Sequence, residues 1–189
     1  MASRKTDVKG VIPRPKRERR TPLCSNLSGY RRKRDFERTP EPSGARLSKK
    51  EPRLLYVIQR HQASRLHYDL RLQEGSVLKS WAVPKTPPEK AGERRLAVEV
   101  EDHPLDYGAF EGTIPEGEYG AGTVKIWDKG TYELLEAGPS KRLVSIQGRR
   151  LKGTYVLVKL RPGEGEKDKN WLFFKMKDDG TETGRREKA

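Results

Sequence analysis

The sequence predicts a mainly β protein with little helix, built as an antiparallel sandwich or a closed barrel. Two observations predict it. From Leu54 onward the chain carries short segments rich in β-branched and aromatic residues, many of them alternating apolar with polar. Clusters of Gly, Pro, Asp and Asn separate those segments at short, fairly even intervals, which is the spacing of hairpin-linked strands.

The elements run in order as LYVIQRH, HYDLRL, VLKSWAV, RRLAVEVED, GTVKIWD, TYELLEA, RLVSIQG, GTYVLVKL and NWLFFKMK. Between them lie EG at 74–75, PKTPPEKAGE at 84–93, PEGEYGAG at 115–122, DKG at 128–130 and GEGEKDKN at 163–170. WDKGTY and LRPGEGEKDKNW read as hairpin loops. QASR should bend the chain between the first two strands, and SRL or 86–93 could form a helical turn. No internal repeat is visible.

Residues 1–50 differ from the rest. They hold 16 basic and 5 acidic residues, and so carry +11 of the net +14. RPKRERR and YRRKRD stand among Pro, Ser and Gly with few apolar anchors. Such a segment buries too little surface to offset its ordering entropy. The expected organisation is a largely flexible basic arm over 1–33, a β domain over 34–178 and a polar tail over 179–189. A basic arm on a near-neutral body suits a polyanion, with nucleic acid the foremost partner and an acidic membrane surface the other. Cys24, the single cysteine, cannot form an internal disulfide. The start lacks an apolar signal segment, and no run is long enough to span a bilayer. A soluble, cytoplasmic protein is expected.

The chemistry-bearing residues cluster in QRHQASRLHYDLRL. Alternation puts His67, Asp69 and Arg71 on one face and Leu66, Tyr68, Leu70 and Leu72 on the other. Gln59 and His61 share a face of the preceding strand, with Tyr56 and Ile58 opposite. Two imidazoles and a carboxylate suit Mn²⁺, Zn²⁺ or Fe²⁺ with positions left for water and substrate. Arg71 beside such an ion would take a second side of a bound phosphate. The plainer reading is a half-solvated strand on which Asp69 and Arg71 pair at the surface. EDHPLDY adds His103 and Tyr107, placed to contact phosphate oxygens or to move a proton. Arg95 could supply another cation. Lys79 and Lys85 flank Trp81, a pattern shared by base-stacking grooves and by ordinary cores. GEYGAG lacks the strand–loop–helix setting of a phosphate-binding glycine loop and reads as a tight turn.

Four stretches taken together resemble the 3′-phosphoesterase domain of bacterial DNA ligase D and its free-standing relatives. They are RDFERTPEPSG, VIQRHQASRLHYDLRL, VLKSWAVPK and RRLAVEVEDHPLDYGAFEGTIPEGEYGAGTVKIWD, within about residues 34–178. The resemblance implies a small closed or nearly closed β-barrel. It also implies an enzyme of DNA repair that removes a 3′-terminal ribonucleoside by phosphodiester cleavage, then the 3′-phosphate, leaving a 3′-hydroxyl. On it, His61, His67 and Asp69 would hold the metal, usually manganese, with zinc or another divalent transition metal as the alternatives. Arg71 and His103 would grip the phosphate, with Tyr107 beside them. Gln59, Lys85, Arg95, Arg34, Asp35 and Glu41 match further functional positions, so the end of the basic arm should fold over the site. Leu70 and Gln73 stand where the family often has Phe and Glu, and KTPPEKAGE differs too. The substrate would be a DNA primer-template or end, and a ligase or polymerase would act in trans. The rival expectation is a non-enzymatic nucleic-acid-binding barrel with a structural metal or none.

Overall fold

A computed structural model describes residues 27–44, 53–163 and 168–177. Ten strands follow one short helix, α1 (Ser28–Arg32): β1 (Leu54–Gln62), β2 (Leu66–Glu74), β3 (Val77–Val83), β4 (Arg94–Glu99), β5 (His103–Pro104), β6 (Gly112–Ile114), β7 (Gly122–Ala137), β8 (Lys141–Gly148), β9 (Lys152–Lys159) and β10 (Asn170–Lys175). Every pairing between named strands is antiparallel, in the order β1-β2-β3-β4-β10-β9-β8-β7. Pairing of β7 back onto β1 closes an eight-stranded barrel, which leaves no free edge along that circuit. Of the two alternatives open in the sequence, the barrel is the correct one.

Strand parity fills its interior. Tyr56, Ile58, Tyr68, Leu70, Leu72, Trp81, Val144, Ile146, Tyr155, Leu157, Trp171 and Phe173 all belong to one buried cluster. Trp81 is fully buried there, with its ring 5.9 Å from that of Trp171. The Lys-Trp-Lys pattern is therefore a core position and offers no base-stacking groove, which removes one support for a purely nucleic-acid-binding barrel.

The expected hairpin at WDKGTY does not form, because β7 runs straight through it for 16 residues. Asp128 explains the difference. Its buried carboxylate accepts bonds from the backbone N–H groups of Lys129, Arg149, Arg150 and Leu151 and from the Tyr56 hydroxyl. The aspartate therefore caps the β8–β9 turn instead of starting a turn of its own. Gly130 passes so close to β8 that a Cβ would collide with the Gln147 carbonyl oxygen. A register shift at Ile58/Gln59 lets the long strand bend as it pairs with β1.

The helix also lies elsewhere than expected. Residues 63–65 form a bend, and α1 falls within the basic segment. Packing against the barrel begins at Leu27, so the boundary expected at residue 34 falls inside an ordered stretch. The rest of the expected arm, 1–26, and the expected tail, 179–189, lie outside the described residues. A second apolar cluster, including Leu27, Tyr30, Leu78, Tyr107, Phe110, Ile114 and Val124, forms on the outer wall of the barrel. Two flaps build it over β1–β3: the segment 27–44 and the excursion 103–121. Between this roof and the wall lies the site.

Candidate active site

The β1–β2 register sets His61 directly opposite His67 and Gln59 opposite Asp69, while Arg71 faces Ser80 on β3. All six side chains stand on the outward parity, under the roof. The face predicted for His67, Asp69 and Arg71 is thus correct, but it is covered rather than solvated.

His61 Nδ1 lies 3.5 Å from Asp69 Oδ2 and His67 Nε2 lies 3.8 Å from Oδ1. The ring centroids of the histidines are 4.7 Å apart. One donor atom from each of the three residues falls within a 4.8 Å span, a grouping that suits a single metal ion. The opposite ring nitrogens are occupied: His61 Nε2 is 2.9 Å from the Gly120 carbonyl oxygen and His67 Nδ1 is 2.9 Å from that of Arg65. A carbonyl only accepts, so the nitrogen on that side of each ring carries a proton, and the other nitrogen faces Asp69, where it would offer its lone pair to a bound ion. Metal-ligating histidines commonly have their far nitrogen held by a carbonyl or carboxylate in this way. Burial would raise the Asp69 carboxyl, but Arg71 and the two imidazoles outweigh it and hold the group below its ordinary value.

Arg71 is fixed on three sides. Nε donates to Gln59 Oε1 at 2.7 Å, Nη1 to Ser80 Oγ at 2.9 Å, and Nη2 lies 3.3 Å from Asp69 Oδ2. Its guanidinium carbon sits 4.6 Å from the centre of the Tyr107 ring. Of its five N–H groups, one on each terminal nitrogen remains for a ligand.

The roof adds His103, whose ring is packed edge-on between Tyr30 and Tyr107 at 4.9 and 4.8 Å. Its Nδ1 donates to the Glu101 carbonyl at 2.9 Å, which leaves Nε2 as an acceptor facing Arg34 Nη2 at 3.4 Å. Burial, then the charges of Arg71 and Arg34, push its pKa well below the usual histidine value, so the ring is neutral at pH 7. Burial likewise raises the Tyr107 phenol and keeps it protonated. Arg34 lies flat on Tyr30, 3.9 Å from the ring centre, and bonds Glu41 at 2.8 Å and Glu101 at 3.3 Å. Thr39 steadies Glu41 through a 2.9 Å bond. Arg34 and Glu41 together latch the basic segment onto the wall.

These residues enclose a cavity of about 340 Å³, bordered by the exposed ring of Tyr119, which Lys33 bonds from the solvent side. Arg34, His61, His67, Asp69, Arg71, His103 and Tyr107 line it; Gln59 and Glu41 stand immediately behind. Three expected positions stand apart. Asp35 is exposed and uses its carbonyl and carboxylate to close the 35–39 turn. Lys85 is exposed beyond the end of β3. Arg95 bonds the Thr86 carbonyl and Glu93. Sequence reasoning missed Tyr30, Ser80, Glu101 and Tyr119. Ser80 was reachable by folding β2 onto β3 about the EG turn, and Glu101 by its parity with His103.

The model of the DNA Ligase D 3′-phosphoesterase domain matches residues 59–159, a span holding most of this cavity. The chain belongs to that family. Membership in the 3′-phosphoesterase family places it among phosphoester hydrolases. It is 48% identical over 163 residues to the multifunctional non-homologous end joining protein LigD of Pseudomonas aeruginosa, covering 83% of this chain and 19% of that protein. The LigD of Mycolicibacterium smegmatis is 44% identical over 168 residues, covering 83% and 21%. The multifunctional non-homologous end joining DNA repair protein LigD of Mycobacterium tuberculosis is 43% identical over 160 residues, covering 82% and 20%. The phosphoesterase chain thus spans about a fifth of the length of the curated relatives it matches.

Proposed function

We propose that this chain heals DNA 3′ ends as a metal-dependent phosphoesterase. It removes a 3′-terminal ribonucleoside by phosphodiester cleavage and then the 3′-phosphate, leaving a 3′-hydroxyl for a ligase or polymerase during end joining. One observation carries the reading: a three-residue metal group and a guanidinium share Asp69 within a single roofed cavity.

The donor set and its carbonyl-fixed tautomers suit manganese, with zinc or another divalent transition metal as the alternatives. Bound at His61, His67 and Asp69, the ion supplies Lewis-acid polarisation of a phosphoryl oxygen. Arg71 donates its two remaining N–H groups to phosphoryl oxygens, in a geometry set by Gln59, Ser80 and Asp69. His103, neutral with Nε2 as acceptor, takes up a proton from solvent as the anion enters and passes it to the leaving oxygen as the P–O bond breaks. Tyr107 holds the Arg71 guanidinium against its ring and closes one side of the cavity. Arg34 orders the roof. The partner is a DNA primer-template or end, and the expected location is the cytoplasm. Among the described residues no helix is long and apolar enough to cross a membrane.

The test is a manganese-dependent assay on two primers, one ending in a ribonucleotide and one in a 3′-phosphate. Wild-type protein should process both, lose both activities with EDTA and regain them with manganese. His61→Ala or Asp69→Ala should lower each rate by orders of magnitude. Undiminished turnover in either variant would defeat the assignment.

A further inference from the structure

Six large apolar or aromatic side chains stay exposed among the described residues, and of these only Tyr119 borders the cavity. It is 46% exposed.

Its position is fixed nonetheless. The PEGEYGAG stretch forms two successive turns, with Glu118 N–H bonding the Pro115 carbonyl and Ala121 N–H that of Glu118. Gly117, Gly120 and Gly122 all take positive φ. A Cβ on Gly122 would collide with the Gln62 carbonyl oxygen, so the turn is pressed onto the β1–β2 connection. Arg38 anchors the turn from the basic segment, 3.0 Å from Glu118. The Tyr119 hydroxyl accepts a bond from Lys33 Nζ at 3.1 Å. The next residue, Gly120, supplies the carbonyl that orients His61. The ring therefore stands at a set place one residue from the shell of the metal group.

We propose that Tyr119 is the stacking platform for the terminal nucleobase of the strand being processed. The inference rests on the phosphoesterase reading and names how that site holds its substrate. A nucleotide end is an anion joined through a sugar to an aromatic ring. The cavity takes the anion, and the exposed phenol at its mouth matches the ring. Lys33 and Arg34 lie 4.4 and 5.4 Å from the phenol centre, and both are paired with Glu101, at 2.9 and 3.3 Å, so they hold the ring's surroundings in place. Stacking is tolerant of base identity, since every base has a π-face, and an enzyme that trims arbitrary ends needs that tolerance. The Lys33 bond to the hydroxyl keeps the ring from swinging aside and so lowers the ordering cost of stacking.

The test measures binding, so its outcome is separate from that of the activity assay. The full chain is titrated with a primer-template ending in 3′-hydroxyl 2-aminopurine, and fluorescence is followed. Wild type and Tyr119→Phe should quench the terminal base. Tyr119→Leu should abolish the quench and weaken affinity about tenfold, the scale of one lost base–aromatic stack. A primer ending in an abasic site should bind wild type about as weakly as the leucine variant binds the intact primer. The two losses should not add. Equal quenching by the leucine variant, additive losses, or no DNA binding by wild type would overturn the proposal. If wild type turns over 3′-phosphate ends while any of these holds, the phosphoesterase reading survives and only the platform falls.

Discussion

The Gln59 side-chain amide joins Arg71 to the roof: its Oε1 accepts the Arg71 Nε–H at 2.7 Å while its Nε2 donates to the Tyr107 and Phe110 carbonyls at 3.0 and 2.8 Å. One fully buried residue thus fixes the cavity-lining Arg71 guanidinium and the 3₁₀ turn Leu105–Ala109 that carries Tyr107. Gln59→Leu keeps the volume but leaves one donor and two acceptors without partners, each worth roughly 1–3 kcal/mol when buried. We expect the variant to fold with reduced stability, to bind manganese normally and to turn over slowly with a raised KM. Metal affinity measured beside kinetics checks this. Loss of metal binding with Arg71 function intact would contradict it.

Asp128 ties β7 to the β8–β9 turn and to Tyr56 of β1, and none of these bonding partners lines the cavity. It accepts four backbone N–H bonds and one hydroxyl bond in a buried setting. Asp128→Ala orphans these donors at the β8–β9 turn, a loss we place at about 3–5 kcal/mol from the usual cost of breaking a buried polar network. Urea unfolding should show that drop. The activity per folded molecule, measured at low temperature, should stay near wild type, because none of the groups bonded to Asp128 lines the cavity.

The barrel and the metal group were legible because both follow from period-two alternation. Parity alone sorted Tyr56, Ile58, Leu70 and Leu72 inward and Gln59, His61, Asp69 and Arg71 outward, and the family motifs carried those positions to roles. DKG misled for a reason that parity does not contain: Asp128 satisfies a turn 21 to 23 residues downstream, at Arg149–Leu151, so local turn chemistry gave way to a long-range one. The charge-rich segment hid its anchor in the same way. Tyr30 and Leu27 look too sparse to order a basic stretch, yet both are buried, and Arg34 finds two carboxylates, one of them 67 residues away. Tyr119 comes from a loop whose course depends on the closed barrel, and no local pattern marks it.

His103 should make the protein lose stability in mild acid. Its folded-state pKa lies well below the ordinary 6.5 because burial and the Arg71 and Arg34 charges oppose protonation. In the unfolded chain the imidazole titrates normally, so below about pH 6.5 the unfolded state binds a proton that the folded state refuses. Stability from this group is complete above that pH and declines as pH falls from there toward the depressed value. Denaturant midpoints at pH 7.5 and pH 5.5 should therefore differ, and His103→Gln should narrow the difference. An identical pH dependence in the variant would refute the assignment.

Phosphate affinity should depend on the metal more than on the arginines. The formally charged side chains lining the cavity at pH 7 are Arg34, Arg71, Asp69 and Glu101, two of each sign, and they are paired with one another at 3.3 Å in both cases. Glu41 behind Arg34 shifts the balance further toward negative. A phosphate entering these surroundings meets guanidinium groups whose charge is already matched, so the attraction expected from two arginines is largely cancelled. A divalent cation on His61, His67 and Asp69 reverses that sign. Calorimetric titration with inorganic phosphate should show no measurable binding to EDTA-treated protein and clear binding after manganese is added. Asp69→Asn removes one negative charge along with a metal ligand. It should bind phosphate better than wild type without metal and worse than wild type with it, and a variant weaker than wild type in both states would mean that the guanidinium groups, not the ion, dominate anion capture.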